Sequence, residues 1–291
     1  MKSFLNGIKA DLIGRAAGSV PSAPTAGNIV SFARAIGGRI LPWFRAPSGE
    51  ATPLQPLMVR KTIYRAVSHA NSTTITTEGA SLTLLPTTAV AASLSSVNKF
   101  QSTKRSEILV GTAALGAVSG WRTGTAVHWR GNAAGLGGFH IICRWGPATG
   151  VSVTTSRAFV GLGSTAAPTD VEPSTQTQIV GMGWDAADTN IQMMVNAGLA
   201  TATKVDLGAS FPVPIVDRTA MYEIALFCEP NGATITYEVT DLVSGAVATG
   251  TLSTNLPTNT TFMAYKGWMS NGGATSVIGV ALLGYYGEAD Y

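Results

Sequence analysis

The sequence predicts an all-β chain: an antiparallel β-sandwich preceded by an extended N-terminal arm with short helical segments. Two observations carry this. Charged residues make up only 12% of the 291 residues, while 45% are hydrophobic and 33 are glycine. Soluble domains average about 25% charged residues, and helical enzymes lean on Glu, Lys and Leu for their surfaces. From residue 139 onward, short strand-like runs also alternate with turn signals. Such spacing, near ten residues, is that of sandwiches and jelly rolls.

Taken in order, residues 1–18 place Leu5, Ile8 and Leu12 near helical spacing, weakened by Gly7 and Gly14. A Pro- and Gly-containing linker follows, then NIVSFARAIGGRI, a second short apolar segment read as ending at Gly37-Gly38. The stretch LPWFRAPSGEATPLQPL carries four prolines and is expected to form neither a regular helix nor a central strand. Residues 1–58 are therefore expected to be an attachment arm whose anchors are Leu5, Ile8, Leu12, Phe32, Trp43 and Phe44.

Residues 59–130 read as a connecting, shoulder-like β region. VRKTIYRAV has strand composition, TTITTEGASLTLL suggests a hairpin around Glu78-Gly79, and the Ala-, Ser- and Thr-rich 87–120 is assigned to strand. Residues 131–291 are the C-terminal sandwich, jelly-roll or lectin-like. Its strand runs are FHIICRW, RAFVGLG, TQIVGMGWD, IQMMVNA, ATKVDLG, MYEIALFCE, TITYEVTDL, GAVATGTLS, TFMAYKGWM and SVIGVALLGYYG. The strongest local signal is Asn231-Gly232 between two of them.

Residues 1–105 carry twelve basic and three acidic residues, and the remainder carries seven and thirteen. The basic residues are scattered rather than clustered, so an acidic protein partner fits as well as nucleic acid, which is not expected. Lys9 and Asp11 interrupt any secretory apolar core, and the uncharged stretches 79–98 and 267–287 are too rich in Ser, Thr, Gly and Asn to insert in a membrane as helices. Cys143 and Cys228 sit in apolar runs as buried thiols.

No catalytic, cofactor or metal signature is present. GLGSTAAP is not a nucleophile elbow, and GNAAGLGG lacks both the order and the Lys-Ser/Thr ending of a phosphate loop, so it reads as a bend with close backbone approach. Asp185, Asp188 and Asn190 in WDAADTN supply three oxygens that suit either a calcium loop or a self-capping turn. Trp121, Trp129, Trp145, Trp184 and Trp268 lie near turns, where a ring can pack in the core or stack on a sugar. The candidate receptor patches are Trp184 with Asp185, Asp188 and Asn190, and Trp268 with Asn271.

Three blocks carry a family resemblance: WRGNAAGLGGFHIICRWG, SRAFVGLGSTAAPTDVEPSTQTQIVGMGWDAADTN and TLSTNLPTNTTFMAYKGWMSNGGATSVIGVALL, with RKTIYRAVSHANSTT as lead-in. Together, over residues 60–291, they resemble the β-rich modules at the ends of tailed-bacteriophage tail fibres and receptor-binding proteins. That resemblance implies a homotrimer that binds a host-surface glycan or protein and carries out no chemistry. With the arm 1–58, which lies outside the matched residues, taken as the segment that joins tail or baseplate proteins, the chain reads as a non-enzymatic virion protein of the tail. A capsid decoration or head-fibre protein and a polysaccharide depolymerase are the alternatives.

Overall fold

Amphipathic strands bury their apolar faces by stacking one sheet on another. The computed structural model describes residues 18–45, 47, 51–53, 61–79, 81–86 and 89–290. Contacts divide the chain into two units, Met1–Val59 and Arg60–Tyr291.

In the first unit, β1 (Val30–Ile36), β2 (Arg39–Arg45) and β3 (Ala51–Pro53) form an antiparallel sheet in that order. This corrects the helical arm expected here. Gly37 and Gly38, read as a helix stop, have φ of 56° and 92° and close a two-residue hairpin between Ile36 and Arg39. Positive φ at both central residues matches the right-handed twist of the flanking strands. The four prolines also fail to exclude a central strand. Pro42 lies in β2, where the pairing with β3 begins only at Trp43, so its missing N–H falls beyond the end of β3. The anchors Leu5, Ile8 and Leu12 lie outside the described residues.

In the second unit, one sheet has seven strands. Their order is β15 (Thr203–Asp206), β14 (Gln192–Asn196), β13 (Ile179–Trp184), β12 (Arg157–Gly163), β19 (Ala264–Ser270), β10 (Val118–Thr123) and β6 (Leu82–Leu85). The other sheet runs β18 (Val247–Leu252), β17 (Ile235–Asp241), β16 (Tyr222–Cys228), β11 (Phe139–Thr149), β21 (Gly279–Asp290), β4 (Lys61–Ser68) and β5 (Ile75–Glu78). β8 (Ser106–Leu109) pairs with the start of β21, and β7 (Val90–Ala91) pairs with β8. A small ribbon joins β9 (Ala114–Leu115) to β20 (Thr275–Ser276). Among the described residues the helical elements are one turn, α1 (Lys99–Ser102), and a 3-10 turn at Pro173–Thr175.

Each of the strand runs named from residue 139 onward contains a strand, and Asn231, at φ 55°, turns β16 into β17. The stretch 59–130 supplies strands to both sheets. The hairpin expected around Glu78-Gly79 is absent, because β5 and β6 lie in different sheets and the chain crosses between them there. At Gly79, φ is +78° and an added Cβ would meet the Ile63 carbonyl oxygen at 2.4 Å, so the crossing requires glycine.

The core between the sheets is built on aromatic pairs. Trp145 of β11 and Trp184 of β13 stack with centroids 6.0 Å apart, and Tyr265 of β19 stacks on Tyr285 of β21 at 3.8 Å. Such pairs contribute about 0.5–1.5 kcal/mol beyond their burial. The Tyr265 hydroxyl lies 2.6 Å from Cys143 Sγ, and that of Tyr285 lies 2.9 Å from His128 Nε2. Desolvation pushes the Cys143 thiol up and lowers His128 to about 4, so both stay neutral in the core at neutral pH. Cys228 is also a buried free thiol.

Candidate functional site

Alternate residues of a strand face opposite sides of a sheet. In β12, Ala158, Val160 and Leu162 face the inter-sheet core, which leaves Phe159, Gly161 and Gly163 on the outer face. Register places Phe159 opposite Trp268, Gly161 opposite Lys266, and Lys266 opposite Arg122 of β10. Phe159, Ile179, Met194, Ala202 and Trp268 form a separate buried apolar cluster on that face.

The segment between β12 and β13 covers this cluster. The Ala202 N–H donates to the Ser174 carbonyl at 2.7 Å, and Asn196 Nδ2 donates to the Gln176 carbonyl at 2.9 Å. Arg157 pairs with Asp170 at 3.3 Å and Glu172 at 3.0 Å, and the Ser174 N–H donates to Asp185 Oδ1 at 3.0 Å. A segment pinned at this many points serves as a roof over the sheet.

Between the roof and the sheet lies a pocket of about 240 Å³. Ser164, Ala166, Ala167 and Thr169 come from one limb of the segment, and Thr175, Gln176 and Thr177 from the other. Its floor is Lys266, only 2% exposed. Gly163 makes room for this side chain: a Cβ there would lie 3.0 Å from Lys266 Cδ and 3.2 Å from Ile179 Cγ2.

Lys266 Nζ donates to the Ala166 carbonyl at 3.4 Å and forms no ion pair among the described residues. Burial, with the nearby Arg122 charge adding to it, lowers its pKa to about 8. Arg122 Nη1 itself donates to the Thr165 carbonyl. The pocket therefore offers an amine, several hydroxyls, an amide side chain and alanine methyls. It suits a small polar ligand with an anionic group.

The residues singled out in the sequence have other roles. Trp184 is 1% exposed, its Nε1 donating to the Ser156 carbonyl at 3.1 Å, and Trp268 is fully buried under the roof. Neither can stack on a ligand, which corrects both proposed aromatic contacts. β13 is covered on one face by the opposite sheet and on the other by the roof, so its turn-proximal tryptophan is core. Trp121 and Trp145 are equally buried; Trp129 is half-buried and stacks on the exposed Phe262 at 4.7 Å.

The WDAADTN loop is an ion-paired turn. Lys204 Nζ donates to Asp185 Oδ2 at 3.0 Å and to Asp188 Oδ1 at 2.6 Å, and Asp188 Oδ2 accepts from the Asp185 N–H at 2.8 Å. Burial pulls the Lys204 pKa down, but the two carboxylates outweigh it and hold the ammonium above its ordinary range. Asn190 donates to Asp206 at 3.2 Å. Asn271 is buried, donating through Nδ2 to the carbonyls of Ala114 at 2.7 Å and Ser276 at 2.9 Å, so it clasps the β9–β20 ribbon. Of the arm anchors, Phe32 and Trp43 are buried and face each other at 6.1 Å, while Phe44 is exposed on the opposite side of β2.

Sequence reasoning missed Lys266. Its signal was a lone charge inside the apolar run TFMAYKGWM, on the same side of the strand as Trp268.

No family model matches the sequence, and no curated protein matches it. Solved structures do match in fold. Peanut lectin with a nine-residue peptide aligns with a TM-score of 0.50 at 10% identity, over 79% of this chain and 98% of that one. A protein of unknown function from Shewanella oneidensis aligns with a TM-score of 0.50 at 9% identity, over 81% and 89%. The chain thus shares an antiparallel, lectin-like β-sandwich fold with them.

Proposed function

We propose that this chain is a virion structural protein of the tailed-bacteriophage fibre type, a binding protein without catalytic activity. Its sandwich recognises a glycan on the host surface, and its N-terminal unit attaches it, as a homotrimer, to the tail or baseplate. The observation that carries the binding role is the small pocket on the outer face of the seven-stranded sheet, lined by hydroxyl and amide groups. Polar groups converging in a concave site are what fixes a small ligand's orientation. The lectin-like sandwich and the fibre-like sequence blocks support the same reading. The depolymerase alternative needs two carboxylates free to act on a sugar; Asp185 and Asp188 are instead held by Lys204.

The test is adsorption of the labelled, purified full chain to host cells, before and after periodate oxidation of surface glycans, with antibody labelling of intact particles. Saturable, periodate-sensitive adsorption and label at the tail are expected. Label on the head would reassign the chain to capsid decoration, and release of reducing ends from host polysaccharide would make it an enzyme.

A further inference from the structure

We propose that the Lys266 pocket takes the carboxylate of an acidic monosaccharide unit, with Lys266 as its counter-charge. This rests on the glycan-binding reading above and names the class of glycan.

The other buried cation of the sandwich, Arg105, and several half-buried ones are paired with carboxylates, while the half-buried Arg130 is held by the Gly232 and Pro257 carbonyls. Arg105 and Arg218 both reach Glu107. Arg157 has Asp170 and Glu172, and Lys204 has Asp185 and Asp188. Lys266 is the least accessible of them, yet its one hydrogen-bond partner among the described residues is a carbonyl oxygen at the limit of hydrogen-bond distance. The adjacent position across the sheet is a second cation, Arg122, rather than a carboxylate. A buried charge without a partner is costly and tends to shed its proton, which is the direction its pKa has moved. Fold stability alone would favour an apolar side chain at this position. An anion brought in by a ligand would supply the missing partner.

The remaining walls define the rest of that ligand. The hydroxyls of Ser164, Thr169, Thr175 and Thr177 and the amide of Gln176 suit an array of neutral hydroxyls. The methyls of Ala166 and Ala167 suit the C–H face of a sugar ring. A volume of 240 Å³ is below the roughly 300–1,000 Å³ of sites for drug-sized ligands, so the pocket suits a single small unit rather than an extended chain. One ammonium among several hydroxyls and methyls describes a uronic-acid-like unit better than a phosphate, which draws on several converging N–H donors.

The experiment is calorimetric titration of the full chain at pH 6.5 with D-glucuronate, D-glucose and acetate. Glucuronate should bind saturably and well ahead of both others. Lys266→Met, which keeps the length of the stem, should weaken glucuronate on the order of 10- to 100-fold, the usual worth of a hydrogen bond to a charged group. The wild-type protein provides a second measurement that does not depend on a variant folding. Above about pH 8, glucuronate affinity should fall and binding should take up protons, as Lys266 must be charged to hold the anion.

Glucose binding as tightly as glucuronate, or affinity unchanged by Lys266→Met in a folded protein, would overturn the role of Lys266. Acetate binding equally well would overturn the saccharide assignment. If either result accompanies intact, periodate-sensitive adsorption to cells, the acidic-sugar inference fails and the glycan-binding reading stands. If adsorption itself is absent, the broader reading fails.

Discussion

Replacing Lys266 by Met should stabilise the protein at neutral pH. The side chain is 2% exposed and has no ion-pair partner among the described residues. Burial lowers its pKa from the ordinary 10.5 to about 8. At about 1.4 kcal/mol for each tenfold change in proton affinity, holding the charged form in this site costs about 3 kcal/mol. Below pH 8 the lysine is charged in both folded and unfolded states, and that cost is fully present. Between pH 8 and 10.5 the unfolded chain binds more protons than the folded one, so the wild-type protein should gain stability as pH rises. Met fills the stem volume without the charge, so the variant should start about 1–3 kcal/mol higher at pH 7. That corresponds to a rise in Tm of about 2–12 °C for a unit of this size. Urea denaturation of both proteins at pH 7 and pH 10 is the assay. The difference between them, which cancels titrations they share, should shrink on going to pH 10. A less stable variant at pH 7, or a constant difference between the two pH values, would refute the assignment of a buried, unpaired charge.

His128 stays neutral in the fold to about pH 4 but protonates in the unfolded chain near 6.5. Its contribution should therefore be lost as pH falls from 6.5 to 4, by about 3 kcal/mol in all. In His128→Phe this acid-dependent share should vanish from stability measured by denaturant titration across that range. Trp184→Ala should cost about 3–5 kcal/mol, because it opens a cavity against Trp145 and leaves the Ser156 carbonyl without its donor. Thermal melting beside cell adsorption tests this, since a direct receptor contact would lower adsorption without lowering Tm.

What the sequence determined by itself is the local grammar. Low charge, β-branched runs and Gly, Asn and Pro punctuation are short-range properties, and the strands from β11 through β21 follow from them. So does the turn at Asn231, where a residue tolerant of positive φ sits between two apolar runs. The Gly-rich GNAAGLGG was equally readable: Gly131 sits at φ +89°, and a Cβ there would lie 1.7 Å from the Leu136 carbonyl oxygen. Period and turn chemistry act within a few residues, so one sequence carries them. What only the tertiary structure decided is which strands share a sheet and which faces are covered. Residues on either side of Gly79 look like one hairpin, yet they enter opposite sheets, because β5 pairs back onto β4 while β6 pairs with the distant β10. Trp184 and Trp268 look like loop aromatics, but Trp184 packs between the two sheets against Trp145, and Trp268 lies on an outer face enclosed by a roof folded from residues 164–178. The same covering leaves Lys266 buried without a counter-charge. Burial of a strand's second face depends on a segment packing from elsewhere in the chain, and the alternation within the strand does not encode it.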